Sequence, residues 1–172
     1  MFAVPENTVA LPAARAVSHP ALVAARFAQE RQRWAHLLRY DPDTRFSALV
    51  ERTEEQEVWL MSWLPGQQTD LHDHGGESGA FTVVSGALTE LVAHTDGAGR
   101  AVEVLHRVVA GQSRVFGPNY VHQVSNEGPD PAVTLHVYRA ERRMTSYRFD
   151  PVDGPRAVGP ERGAAPRTHG SS

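Results

Sequence analysis

Between Ser18 and Tyr40, apolar residues recur at roughly helical spacing, with Leu22, Phe27, Trp34, Leu37 and Leu38 as the repeating positions. Ser18 can cap such a helix, and Pro20 falls in its first turn, where a missing N–H costs little. The pattern predicts one amphipathic helix reaching Tyr40, broken by DPDTR at 41–45. After Phe46 the texture changes. FSALVER, the polar TEEQ and EVWLMSWLPG read as two strands joined by a turn. The runs AFTVVSG, ALTELVAH, VEVLHRVVA, SRVFG, VHQVSN and AVTLHVYRA follow, separated by the turn signals SG, DGAG, AG, GPN and EGPDP. Many short strands with no helical crossover between them predict an all-β sandwich or barrel and argue against a parallel α/β sheet. Residues 1–17 read as an irregular arm, and the Pro-, Gly-, Arg- and Ser-rich end as a flexible tail. The expected organisation is an arm and helix over 1–45, a β-barrel over 46–150 and a tail over 151–172.

Composition narrows the chemistry. A chain of 172 residues, 41% apolar, is sized for one domain with one core. A formal charge of −3 gives no basic patch of the kind that nucleic acid or an anionic membrane demands. No apolar run approaches the roughly 18 residues of a membrane span. The start, MFAVPENTVALPAARAV, lacks a basic region and is interrupted by Pro5 and Pro12, so no signal peptide is expected. Cysteine is absent, which excludes disulfides and thiolate metal sites and fits the reducing cytoplasm, the expected location. Any metal must therefore be held by carboxylates or by some of the nine histidines.

His72 and His74 lie two apart, so on a strand both imidazoles face the same way and Asp73 faces the other. Gly75 and Gly76 allow the backbone to turn closely behind them. GPNYVHQVSN offers His122 as a third ligand on a later strand. A His-x-His pair alone can be two surface histidines; the flanking glycines and the downstream histidine favour a metal site, with coordination positions left open as a catalytic centre requires.

These segments resemble the two motifs of the cupin family. Gly66, His72, His74 and Gly86 match the first, whose glutamate position falls on Gly79; Pro118, His122 and Asn126 match the second, with Tyr120 in place of its usual glycine. Glu77 lies two residues too early to replace the missing glutamate. The departure points to one branch, and from Phe46 to Arg139 the chain is similar to the cysteine dioxygenase family, whose iron is held by three histidines only. Trp63, nine residues before His72, also matches. The position of Gly79 carries cysteine in animal members, where it is crosslinked to a tyrosine, and glycine in many bacterial ones; this chain cannot form that crosslink. The resemblance implies a cupin jelly-roll barrel (double-stranded β-helix) with a short N-terminal helical segment, and Fe(II) on His72, His74 and His122.

The family's Ser-x-His-x-Tyr strand has its counterpart in Thr134, His136 and Tyr138, which alternation places on one face. The resemblance implies that Thr134 orients His136, His136 orients Tyr138, and Tyr138 meets the substrate or the bound oxygen. It also implies an arginine for a substrate carboxylate. Arg45, at the start of the first strand, is the expected residue; Arg52 near the hairpin turn reads as solvated, and Arg139, Arg142 or Arg143 would serve if neither points inward. The implied reaction joins both atoms of O2 to the sulfur of a small thiol, converting L-cysteine to cysteine sulfinate. Alternatives are another thiol such as 3-mercaptopropionate, a cupin enzyme using Mn, Ni or Zn, and a cupin that binds a ligand without catalysis. The expected protein is a monomer with no nucleic-acid or membrane partner. His19, His36, His94, His106 and His169 read as surface or structural, and RAERR at 139–143 as a solvated edge.

Overall fold

The computed structural model describes residues 18–140 and 142–158. The arm over 1–17, His169 and the end of the tail lie outside them. Helix α1 (Pro20–Gln29) precedes the strands β1 (Phe46–Arg52), β2 (Gln56–Trp63), β3 (His72–Asp73), β4 (Gly79–Ser85) and β5 (Ala87–Thr95). The chain continues through β6 (Ala101–Val109), β7 (Ser113–Phe116), β8 (Val121–Ser125), β9 (Ala132–Arg139), β10 (Thr145–Asp150) and β11 (Gly154–Ala157). They form two antiparallel sheets, in the orders β1-β2-β9-β4-β7 and β11-β10-β3-β8-β5-β6. No helix among the described residues is long and apolar enough to cross a membrane.

β9 is central to its sheet and buried on both faces, as its near-continuous burial shows. Its outward residues Val133, Leu135 and Val137 join Val58 and Leu60 of β2 beneath α1, whose Val23, Ala24 and Phe27 complete an outer core. Its inward residues face the barrel interior, where Trp59, Met61, Trp63, Phe81, Phe116 and Tyr138 pack together. Burying side chains of the size of Val23 and Phe27 contributes about 1.5–3 kcal/mol each, so α1 pins the strand that carries Thr134, His136 and Tyr138.

Three sequence expectations change. The helix stops at Gln29, and two short 3-10 turns, Arg31–Arg33 and Ala35–Leu37, replace its second half. The buried Trp34 accounts for this: its indole N–H donates to the Phe27 carbonyl at 2.7 Å, so a side chain takes an acceptor at the helix end. The N-cap is His19 rather than Ser18, with Nδ1 accepting from the Ala21 amide at 3.2 Å, and Leu22 is 69% exposed because Val23 and Ala24 face the sheet instead. Finally, the segment taken as the start of a tail forms β11, paired with β10 from Tyr147↔Ala157 to Asp150↔Gly154.

Candidate metal centre

β3 and β8 pair so that His72 lies directly across from His122, and His74 follows at the end of the short β3. The three side chains are buried, and one ring nitrogen from each lies within 4.8 Å of the others. His74 Nε2 and His122 Nε2 are 3.2 Å apart, a spacing two nitrogens can take around one cation when each bond is about 2.1 Å. The distal nitrogens are held differently. His72 Nδ1 lies 2.7 Å from the Asp70 carbonyl and His122 Nδ1 lies 2.9 Å from Glu90 Oε1, while His74 Nδ1 is buried without a partner. Phe116 stacks on the His74 ring at 4.5 Å and 25°. Burial, reinforced by the neighbouring His122, pushes the His72 imidazole down to about 3; burial and the other two rings likewise hold His74 well below its ordinary value. Both rings are thus neutral donors at physiological pH, and the set suits a divalent metal that accepts imidazole.

Asp73 turns away from the histidines, as strand alternation requires, and accepts from the Gly75 amide at 3.0 Å and the Tyr147 hydroxyl at 2.7 Å. Gly75 takes φ +70°, and a Cβ there would meet the Arg143 carbonyl at 3.1 Å, so the ligand-bearing turn is tied to the chain beyond β9 on its outer side. Glu77 is exposed.

On β9, Thr134 Oγ1 lies 2.8 Å from His136 Nε2, and Tyr138 Oη 2.9 Å from His136 Nδ1. Trp63 Nε1 donates to Thr134 Oγ1 at 2.9 Å. Indole N–H is a donor only, so Thr134 accepts there, and its own hydroxyl proton has His136 Nε2 as acceptor. That tautomer leaves Nδ1–H to donate to Tyr138, whose hydroxyl proton is then free to point at a ligand. The Tyr138 ring lies 4.9 Å from that of His74, and burial pushes its phenol up, keeping it protonated.

The arginines separate cleanly. The Arg45 guanidinium stacks on Trp63 at 4.7 Å, and its Nε is buried without a hydrogen-bond partner. Its charge is felt at His72, His136 and Tyr138, and burial pulls its own pKa down. Arg52 is largely exposed and paired with Glu57. Arg143 is exposed, whereas Arg142 departs from the solvated edge expected of its segment: its guanidinium lies 4.2 Å above the Tyr138 ring and pairs with Glu57 at 2.7 Å.

Sequence reasoning missed Glu90. It is fully buried on β5, bonded to His122 and to Arg114, and the Tyr120 that replaces the motif's glycine donates to it at 3.3 Å. A signal existed: Leu88, Glu90 and Val92 alternate within one strand, which places a carboxylate at an inward position.

The two-sheet barrel with its inward histidines defines a cupin, a double-stranded β-helix protein. Solved structures agree. A double-stranded β-helix protein of Klebsiella pneumoniae matches with TM-score 0.55 at 21% identity, over 65% of this chain and 86% of its own. TT1209 of Thermus thermophilus matches with TM-score 0.52 at 26% identity, over 61% and 91%. An oxalate oxidase in complex with glycolate shares the fold at TM-score 0.52 and 16% identity, over 62% of this chain and 56% of its own. Auxin-binding protein 1 of Arabidopsis thaliana is 32% identical over 90 residues, 52% of this chain; the chain spans about half, 45%, of that relative's length. The family model for cysteine dioxygenase type I matches residues 12–150, and the chain belongs to that family. Family and fold agree: the chain is a cupin of the cysteine dioxygenase type I family.

Proposed function

We propose that the protein is an Fe(II)-dependent thiol dioxygenase that converts L-cysteine and O2 to cysteine sulfinate. The observation carrying this reading is the convergence of three buried imidazoles, beside an Arg45 guanidinium that stacks on Trp63 and whose buried Nε has no hydrogen-bond partner. His72, His74 and His122 would hold the iron, which supplies open coordination positions and the one-electron chemistry that O2 requires. Balance is simple: RSH and O2 give RSO2H, both oxygen atoms ending on sulfur. Arg45 receives the substrate carboxylate, satisfying a cation that has no acidic partner among its hydrogen bonds. Tyr138, oriented by the Trp63–Thr134–His136 chain, offers its hydroxyl proton to the substrate or the reacting oxygen. Phe116 and the aromatic lining exclude water from one side of the site. A monomer in the cytoplasm, free of nucleic-acid and membrane partners, completes this reading.

A second substrate has its own support. The Arg45 guanidinium over Trp63 would meet a carboxylate and not an amine, so 3-mercaptopropionate, which has the thiol and the carboxylate but no amine, satisfies the same contacts. The test is anaerobic Fe(II) loading followed by oxygen consumption with cysteine, cysteamine and 3-mercaptopropionate in parallel. We expect sulfinate from a carboxylated thiol, abolished by His122→Ala. Uptake that ignores iron, or no uptake with any of the three, overturns the assignment.

A further inference from the structure

The three histidines differ on the side turned away from the site. His72 faces a neutral backbone carbonyl and His74 faces nothing, but His122 faces a carboxylate. Glu90 lies wholly inside the barrel, and its hydrogen bond runs between neighbouring strands, β5 and β8. Its second oxygen takes Arg114 Nε at 2.5 Å, and Arg114 reaches the surface with its side chain 29% exposed. Arg114 also donates to the Tyr120 hydroxyl at 3.0 Å, so the carboxylate is fixed on both edges.

A carboxylate can only accept, so His122 Nδ1 carries the proton and Nε2 turns its lone pair toward His72 and His74. An anion behind an imidazole also makes the ring a stronger donor than a neutral carbonyl does. Arg114 works against that: it neutralises part of the charge that Glu90 presents to the ring. The bland alternative is a buried ion pair that only braces β5 against β7.

We propose that Glu90 is a positioning residue that makes His122 the strongest donor of the three, and that the Glu90–Arg114 pair sets the affinity and the Fe(III)/Fe(II) potential of the bound metal. The inference rests on the reading of His72, His74 and His122 as iron ligands. If it holds, the two variants act in opposite senses. Glu90→Gln keeps the shape and removes the charge, so the potential rises and Fe(II) affinity falls about 10- to 100-fold, the usual effect of losing such a partner. Arg114→Gln leaves Glu90 uncompensated, so the potential falls below that of the parent.

The experiment uses the full chain: anaerobic Fe(II) binding by chelator competition, then redox titration of the iron-loaded protein, with circular dichroism to check folding. A parent chain that binds no Fe(II) defeats the ligand reading itself. A parent that binds iron, with both variants at its potential, overturns the role of Glu90 and leaves the ligand reading standing. If Glu90→Gln does not fold, Arg114→Gln decides alone, since Arg114 does not touch His122: a lowered potential supports the proposal, and an unchanged or raised one overturns it.

Discussion

Phe116 occupies the space into which any side chain at Gly79 would project: a Cβ there would lie 2.3 Å from Phe116 Cε2 and 2.8 Å from the Val137 carbonyl. The position that holds glutamate in four-ligand cupins is therefore closed by packing, and Phe116 in turn stacks on the His74 ring. We expect Gly79→Glu to add no metal affinity and to destabilise the fold by about 1–3 kcal/mol, the usual cost of overpacking. Phe116→Ala in the same chain should recover part of that loss. Urea midpoints and metal content check both statements, and a Gly79→Glu variant as stable as the parent contradicts them.

Arg45 separates function from stability. Its buried Nε has no hydrogen-bond partner, and burial, which disfavours its charge, outweighs the favourable neighbours of that charge. Arg45→Met should keep or raise the denaturation midpoint. It should lower kcat/KM for cysteine by roughly 10- to 100-fold, matching about 1.5–3 kcal/mol for hydrogen bonds to a charged group, and leave cysteamine, which has no carboxylate, unaffected. Equal losses on both thiols would remove Arg45 from carboxylate recognition.

Thr134→Val preserves volume and breaks the chain from Trp63 to Tyr138. The buried indole N–H then loses its acceptor, at a cost of about 1–3 kcal/mol. His136 is also released from the tautomer that donates to Tyr138. We expect slower turnover with metal content unchanged. Unaltered turnover in the folded variant excludes the directed chain.

Glu57 predicts an acid-dependent effect. Burial alone would raise its pKa, but hydrogen bonds from Arg142 and Trp59 and the charges of Arg142 and Arg52 outweigh that and hold it below the ordinary 4.5. A depressed folded pKa contributes stability above the unfolded value, lost as pH falls through the folded one. Glu57→Gln should therefore be less stable than the parent near neutral pH, with the gap closing on acidification below 4.5. Thermal unfolding across that range measures it, and a gap independent of pH shows that the carboxylate charge plays no part. The variant should also loosen Arg142 from its place above Tyr138, visible as altered turnover.

Legibility followed the range of the interactions. The strands from Phe46 to Arg139 and the facing of His72, His74, Thr134, His136 and Tyr138 rest on alternation within a few consecutive residues, which is printed in the chain. The helix end was not readable, because Trp34 reaches back seven positions to the Phe27 carbonyl and Val23 is preferred over Leu22 by the sheet beneath. β11 lay hidden in a Gly- and Pro-bearing segment that is held by its pairing with β10.

Spacing and residue type alone were enough for an all-β sandwich or barrel, the candidate ligands and the exclusion of thiolate chemistry, since these depend on backbone period and on which donors exist; the choice of the barrel came from the family resemblance. Which histidine backs onto a carboxylate, which arginine keeps a buried Nε without a hydrogen-bond partner and why no side chain fits at Gly79 were settled only in three dimensions. Each of those depends on groups far apart in the chain, Glu90 with His122, Arg142 with Glu57 and Phe116 with Gly79. Their meeting is fixed by sheet register and close packing, which no local pattern encodes.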